Sequence, residues 1–119
     1  MLILPFDSKN FVENKSSEGN KKYDASSYLI EYLIKKGYEG EEYGCYFLKY
    51  DIEFTSMIIS ILRGDSQYFL LLKSNKESIL SYDEIGNTGG EEILYFKISS
   101  NLVITTYNLN NVEVKKREI

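Results

Sequence analysis

The sequence predicts an α+β fold in which one N-terminal helix packs on a mostly antiparallel sheet of about five or six strands. Apolar residues recur at helical spacing in only one stretch, about Ala25 to Lys36. After that stretch, β-branched and aromatic runs alternate with polar turn residues, which favours a meander of antiparallel strands. The length of 119 residues is typical of one domain, so we expect residues 1–119 to form a single domain.

Before the helix, the sequence predicts a short strand and a long loop. Leu2 to Phe6 is an apolar run, and Pro5 suits a sheet edge because proline donates no backbone hydrogen bond. Residues 7–22 are mainly Ser, Asn, Lys, Glu and Gly, with Phe11 and Val12 as apolar anchors. This composition indicates a polar loop.

The predicted helix has signals at both ends and one apolar face. Asp24 is placed to cap its first turn, and Gly37 is placed to end it. The apolar face is formed by Ala25, Tyr28, Leu29, Tyr32 and Leu33. We therefore expect both of its tyrosines, Tyr28 and Tyr32, to belong to the core.

Six strands are predicted after the helix. They lie near Tyr43 to Tyr50, Thr55 to Leu62, Gln67 to Leu72, Glu92 to Ile98, Leu102 to Tyr107 and Val112 to Lys116. The second run also fits helical spacing, but its Ile and Thr content favours a strand. Gly64-Asp65 predicts a tight hairpin, whereas Asp83 to Gly90 predicts a polar connection.

The absence of histidine excludes most of the catalytic chemistry open to a small protein. Histidine is the usual base for serine and cysteine nucleophiles and the commonest transition-metal ligand. With one cysteine, the chain also lacks the ligands of a structural zinc site. Cys45 has acidic and apolar neighbours that favour a buried thiol with a raised pKa. The sequence thus predicts a protein that is not an enzyme and that needs no cofactor or metal.

The net charge of −4 restricts the expected partners. Nucleic-acid affinity comes mainly from Lys and Arg on phosphates, so we expect no nucleic-acid binding. The apolar runs are far shorter than the roughly 20 residues of a membrane span, and the N-terminus lacks a signal-peptide pattern. We therefore expect a cytoplasmic protein that makes no membrane contact and favours a basic protein partner. The oligomeric state stays open.

The strongest functional indication lies in the segment Gly37 to Glu53, GYEGEEYGCYFLKYDIE, which combines four tyrosines and five carboxylates with one lysine. Tyrosine is enriched at protein interfaces because it buries a rigid ring and keeps a hydroxyl for hydrogen bonding. An equally open interpretation is a solvated turn whose tyrosines belong to the core. The predicted partner contacts are Tyr38, Glu39, Glu41, Glu42, Tyr43, Asp51 and Glu53.

In overall character the chain resembles the immunity proteins of bacterial polymorphic toxin systems, including contact-dependent growth inhibition. The shared features are small size, acidity, a single domain, no catalytic motif and a face rich in Tyr, Glu and Asp. The resemblance implies a non-enzymatic inhibitor that neutralises a basic partner, most directly a toxin nuclease domain. The alternative is a small-molecule binding or regulatory domain with an apolar pocket between helix and sheet. A third possibility is a metal-dependent hydrolase that binds magnesium or manganese at a carboxylate pair, namely Asp51 with Glu53, Asp83 with Glu84 or Glu91 with Glu92.

Overall fold

The computed structural model describes residues 2–14 and 20–119. These residues form two helices and nine strands, and the nine strands make one antiparallel sheet. From β2 onward each strand pairs with the next, and β1 pairs with β7. The expectation of one helix on five or six strands is therefore wrong, although the fold is α+β with an antiparallel sheet. The elements are β1 (Phe6–Asp7), α1 (Ser8–Asn14), β2 (Tyr23–Asp24), α2 (Ser27–Lys35), β3 (Glu42–Tyr50), β4 (Thr55–Arg63), β5 (Ser66–Ser74), β6 (Ile79–Asn87), β7 (Leu94–Ile98), β8 (Val103–Asn108) and β9 (Glu113–Glu118).

The central strands β3, β4 and β5 are covered on both faces, and each face has its own core. Ile58 of β4 packs into a core on the side of α1, whereas Ile59 and Ile61 pack into a core on the side of α2. A strand covered on both faces needs a continuous apolar run and cannot alternate polar with apolar residues. This explains why the run in β4 also fits helical spacing, and the strand prediction for it is confirmed.

The sheet bends sharply between β6 and β7, where Asn87 and Leu94 form the one paired position. Since β8 occupies one edge of β7, β1 and β6 must share the other edge. Beyond the bend, the hydroxyl of Thr106 donates to the backbone oxygen of Ile85 at 2.9 Å. Strands β7 to β9 thus fold over the face of the sheet that α1 covers.

Two ion pairs of one aspartate fix strand β9, the last strand of this folded-over layer, to β6. Asp83 of β6 accepts from Lys115 of β9 at 3.1 Å and also binds Arg117. These cations lie on the same face of β9, since alternate residues of a strand point to one side. The acidic residue on β6 and the basic residues on β9 therefore hold the two layers together.

Helix α1 replaces part of the loop predicted for residues 7–22, and residues 15–19 lie outside the described part. Phe11 and Val12 pack against the α1-side core, and the Phe11 ring contacts Tyr46 edge-on at 5.6 Å. Short helices derive most of their stability from such packing, which composition does not reveal. The predicted strand at Leu2 to Phe6 is also wrong, because pairing begins only at Phe6.

Helix α2 starts later than predicted. Ser26 is its N-cap, with the side-chain oxygen accepting from Leu29 N at 3.2 Å, while Asp24 belongs to β2. Gly37 follows the helix with a φ of +93°, as its predicted role requires. Tyr32 is partly buried against the α2-side core, but Tyr28 is 62% exposed, so its assignment to the core is wrong.

Strand β6 was predicted in part as the polar connection Asp83 to Gly90. It pairs with β5 along most of its length, from Ile79 opposite Ser74 to Asn87 opposite Tyr68. Gly86 is required there, because a Cβ would lie 2.9 Å from the Phe96 ring. The glycine that resembles a turn signal in the sequence is thus a packing position within a strand.

The hairpin predicted at Gly64-Asp65 is confirmed. Arg63 and Ser66 pair across it, and Gly64 has a φ of +59°. A positive φ at the first residue of a two-residue hairpin favours glycine. Within the described ranges, neither helix has the length and apolar character needed to cross a membrane.

Candidate functional site

The predicted partner contacts lie at opposite ends of β3. Tyr38 and the first three glutamates precede or begin the strand, whereas Asp51 and Glu53 follow it. At about 3.3 Å per residue, the ends of this nine-residue strand are roughly 26 Å apart. The structure therefore divides the predicted surface into two separate regions.

The loop before β3 is held in place by side-chain hydrogen bonds of Tyr43 and Arg63. Tyr43 is 9% exposed, and its hydroxyl donates to Tyr38 O at 2.7 Å and accepts from Gly40 N at 2.8 Å. Arg63 donates to the backbone oxygens of Glu39 at 2.6 Å and Gly37 at 3.1 Å. Tyr43 is thus a positioning residue for this loop and not a surface contact.

Two of the predicted carboxylates already have partners within the chain. Glu41 accepts from Gly64 N at 3.1 Å, which ties the loop to the β4–β5 hairpin. Glu42 forms an ion pair with Lys22, and this hydrogen bond raises the pKa of Lys22. All three glutamates are exposed, and within the described residues the Glu39 carboxylate is the one without a hydrogen-bond or ion-pair partner.

Replacing Tyr43 with Phe is expected to lower the free energy of unfolding by about 1–3 kcal/mol, because it removes both hydrogen bonds and leaves backbone groups without partners. Urea unfolding followed by circular dichroism measures the loss. Tyr50→Phe is the matched control, since Tyr50 is 77% exposed and should tolerate the same change. Equal stabilities of the two variants would contradict the positioning role.

Three tyrosines from different elements meet beside this loop. The ring of Tyr82 on β6 packs edge-on against Tyr32 of α2 at 6.0 Å and against Tyr38 at 6.1 Å. All three rings are half-buried, so each keeps part of its surface in solvent. Edge-to-face packing fixes the rings relative to one another and adds stabilisation beyond area burial.

Glu84 of β6 joins this cluster. It accepts from the Tyr38 hydroxyl at 3.2 Å and from the side-chain amide of the buried Asn87 at 3.1 Å. Burial, followed by the negative charge of Glu84, raises the pKa of Tyr38 to about 12, so the phenol remains a hydrogen-bond donor at neutral pH. We call Tyr32, Tyr38, Tyr82, Glu39 and Glu84 the tyrosine–carboxylate face.

Sequence reasoning found only part of this face. Tyr38 and Glu39 were predicted, Tyr32 was assigned to the core, and Tyr82 and Glu84 were missed with β6. The β-favouring residues Tyr82 and Ile85 were the available signal, but the neighbouring carboxylates and glycine indicated a loop.

The other end of β3 forms a protruding turn, residues 50–53, which we call the β3–β4 tip. Tyr50 is 77% exposed and Ile52 is 94% exposed. Asp51 fixes the turn, because its carboxylate accepts from Ile52 N at 2.6 Å and its backbone nitrogen donates to Phe54 O at 2.9 Å. The tip therefore presents two large apolar side chains next to two exposed carboxylates, Asp51 and Glu53.

The single cysteine is buried, as predicted. Cys45 is 4% exposed in the α2-side core, and burial, assisted by the charge of Asp24, raises its pKa to about 11. Thiolate is the reactive form, so this raised pKa predicts alkylation roughly 100-fold slower than in the unfolded chain. Iodoacetamide labelling with and without denaturing urea tests this, and similar rates would contradict the burial.

The interface between α2 and the sheet is filled with side chains. Leu33, Leu70 and Leu72 are almost completely buried there. An open cleft of about 340 Å³ lies at the end of this interface, between Tyr28 at the start of α2 and the β5–β6 turn. A larger open pocket of about 520 Å³ lies on the other side of the sheet, between Phe11 and Val12 of α1 and Tyr46 and Leu62 of the central strands. Within the described residues, the apolar pocket expected for the alternative function is thus absent from the centre of the α2 interface, and open pockets lie at its end and beside α1. In residues 2–14 and 20–119, no group of three or more His, Cys, Asp or Glu is arranged to hold a metal ion.

Comparison of the chain with protein-family models, with curated proteins and with solved structures found no match. The class of the protein therefore rests on its own fold and surface. It is an α+β protein in which one antiparallel meander folds over itself, with an ordered tyrosine–carboxylate face beside α2.

Proposed function

We propose that this protein is a non-enzymatic inhibitor that binds a basic protein partner through the tyrosine–carboxylate face. The main supporting observation is the mutual packing of Tyr32, Tyr82 and Tyr38, which leaves three fixed rings partly exposed beside Glu84. Because these side chains are already ordered, binding costs less conformational entropy than ordering flexible ones would.

The carboxylates define the chemistry of the partner. Glu84 is exposed and accepts from the Tyr38 hydroxyl, and Glu39 is exposed next to Tyr38 along the chain, so a lysine or arginine docked on the rings could form charge-assisted hydrogen bonds and pack on tyrosine. A nuclease presents such cations to its phosphate substrate. In this proposal the carboxylates occupy those cations in place of phosphate and thereby block substrate access.

The β3–β4 tip supplies a second contact region for the same partner. Exposed apolar side chains on an ordered turn are typical of elements that enter an apolar recess. Ile52→Ser is expected to weaken the complex about tenfold. It removes an aliphatic side chain that becomes buried only in the complex, where that burial contributes roughly 1.5 kcal/mol or more. Leu109→Ser, at an exposed residue of the β8–β9 turn, is the control, and equal binding by both variants would remove the tip from the interface.

A toxin immunity role in the cytoplasm is the biological setting we propose, in line with the resemblance in overall character. An immunity gene directly follows the gene of its toxin, so the protein encoded immediately upstream is the partner to test. Co-purification should give a stoichiometric complex, loss of the partner's activity and an affinity that falls as salt rises. An affinity independent of salt would contradict a basic partner.

A ligand-induced rise in melting temperature without any protein complex would favour the small-molecule alternative.

A further inference from the structure

A separate concave surface lies on the outer face of the folded-over layer, away from α2. It is a groove of about 600 Å³ that crosses β1, β7, β8 and β9. Asn10 of α1 and Asn101 of the β7–β8 turn contribute polar groups to it, and Pro5 and Val103 contribute apolar surface.

Strand register places two lysines across the floor of this groove. Asp7 pairs with Lys97, Lys97 with Thr105, and Thr105 with Lys116. Directly paired residues point to the same face, so the two lysines lie on either side of the Thr105 hydroxyl. Two strand spacings of about 4.8 Å separate their backbones by roughly 10 Å, within reach of a shared ligand.

The carboxylate of Asp7, which lies in the same row of paired residues, already accepts hydrogen bonds from within the chain. Asp7 accepts from the Tyr107 hydroxyl at 2.5 Å and from Lys9 N at 3.0 Å. Lys97 Nζ lies 4.8 Å from the centre of the Tyr107 ring, which directs this ammonium along the outer face. Among the residues that the structure describes, neither Lys97 nor Lys116 forms an ion pair.

The basic residues on either side of Lys116 in the sequence are engaged in ion pairs, unlike Lys97 and Lys116. Lys115 and Arg117 point to the opposite face of β9 and bind Asp83. Glu113 and Glu118 share the outer face with Lys116 by register, but they do not line the groove. The basic cluster 115–117 is thus split, and only Lys116 faces the groove.

We propose that this groove binds a small organic anion whose phosphate or carboxylate group lies between Lys97 and Lys116. Thr105 would donate a hydrogen bond to the same group, and Pro5 and Val103 would contact the apolar part of the ligand. The site lies on a different face from the tyrosine–carboxylate face, so its existence does not depend on the proposed inhibitor function.

The test uses pyrophosphate and citrate as separate probes of phosphate and carboxylate binding. Each is titrated into the full-length, isotope-labelled protein while backbone amide shifts are followed by NMR. Saturable shifts at residues 97, 105 and 116 with either probe are expected, and the tighter probe identifies the preferred anion. Absence of saturable shifts with both probes would overturn the proposal.

The anion affinity of two double variants shows whether binding occurs at this groove or arises only from the overall charge of the protein. Lys97→Gln with Lys116→Gln should weaken binding at least tenfold, because it removes both cationic partners of the anion. Lys35→Gln with Lys76→Gln makes the same charge change at exposed positions elsewhere and should leave the affinity unchanged. If anion binding weakens equally in the groove double variant and in the control double variant, the proposal is contradicted. Thr105→Val keeps the side-chain shape and should also weaken binding, which covers the case in which the double variant does not fold.

Discussion

Phe96→Ala is expected to lower the free energy of unfolding by about 3–5 kcal/mol, a large part of the stability of a small domain. Phe96 is fully buried on β7, with ring centres 5.3 Å from Phe69 and 5.7 Å from Phe6. Its backbone nitrogen donates to the buried Ser8 hydroxyl at 2.8 Å. Truncation leaves a cavity where α1, the central sheet and the folded-over strands meet.

Urea unfolding of the variant and the wild type measures this loss. Phe54→Ala is the matched control, because Phe54 is only partly buried, and its ring lies 4.6 Å from the Lys73 ammonium. We expect this control to lose clearly less stability than Phe96→Ala. Similar losses would contradict the packing of β7 to β9 over the sheet.

Glu39→Lys combined with Glu84→Gln is expected to weaken the complex with the basic partner at least 30-fold. A loss of 2 kcal/mol or more is typical when central interface groups are removed, and 2 kcal/mol corresponds to about 30-fold. The lysine also introduces repulsion against a basic surface. Gln keeps an oxygen at position 84 that can accept from the Tyr38 hydroxyl, so the tyrosine cluster should persist.

The control for charge alone is Glu92→Lys combined with Glu91→Gln. Both residues are exposed in the connection between β6 and β7, and the substitutions change the net charge by the same amount. This variant should bind within a few-fold of the wild type, with the difference vanishing at high salt. If both pairs weaken the complex equally, overall charge and not the tyrosine–carboxylate face controls binding.

Local signals predicted the parts of the fold that depend on neighbouring residues. Gly37 ends α2 and Gly64 forms a hairpin, because each adopts a positive φ that favours glycine. The apolar run of β4 was also assigned correctly, since Ile and Thr favour strands over helices.

Other elements depend on contacts distant in sequence. Helix α1 is held by packing of the partly buried Phe11 and Val12 against the α1-side core, and β6 by pairing with β5. The Asp83 carboxylate forms an ion pair with Arg117 of β9, and the Glu84 carboxylate accepts a hydrogen bond from Tyr38. Both partners are distant in sequence, so no local pattern reveals them. The segment Gly37 to Glu53 was singled out for its composition alone, and the length of β3 places its two ends in separate regions.

The most direct test of the central claim is to map the partner's contact on the isotope-labelled protein by NMR. We expect amide shifts or line broadening concentrated at Tyr32, Tyr38, Glu39, Tyr82 and Glu84, with a smaller set at the β3–β4 tip. Perturbations confined to the outer face of β7 to β9, with the tyrosine–carboxylate face unchanged, would contradict it.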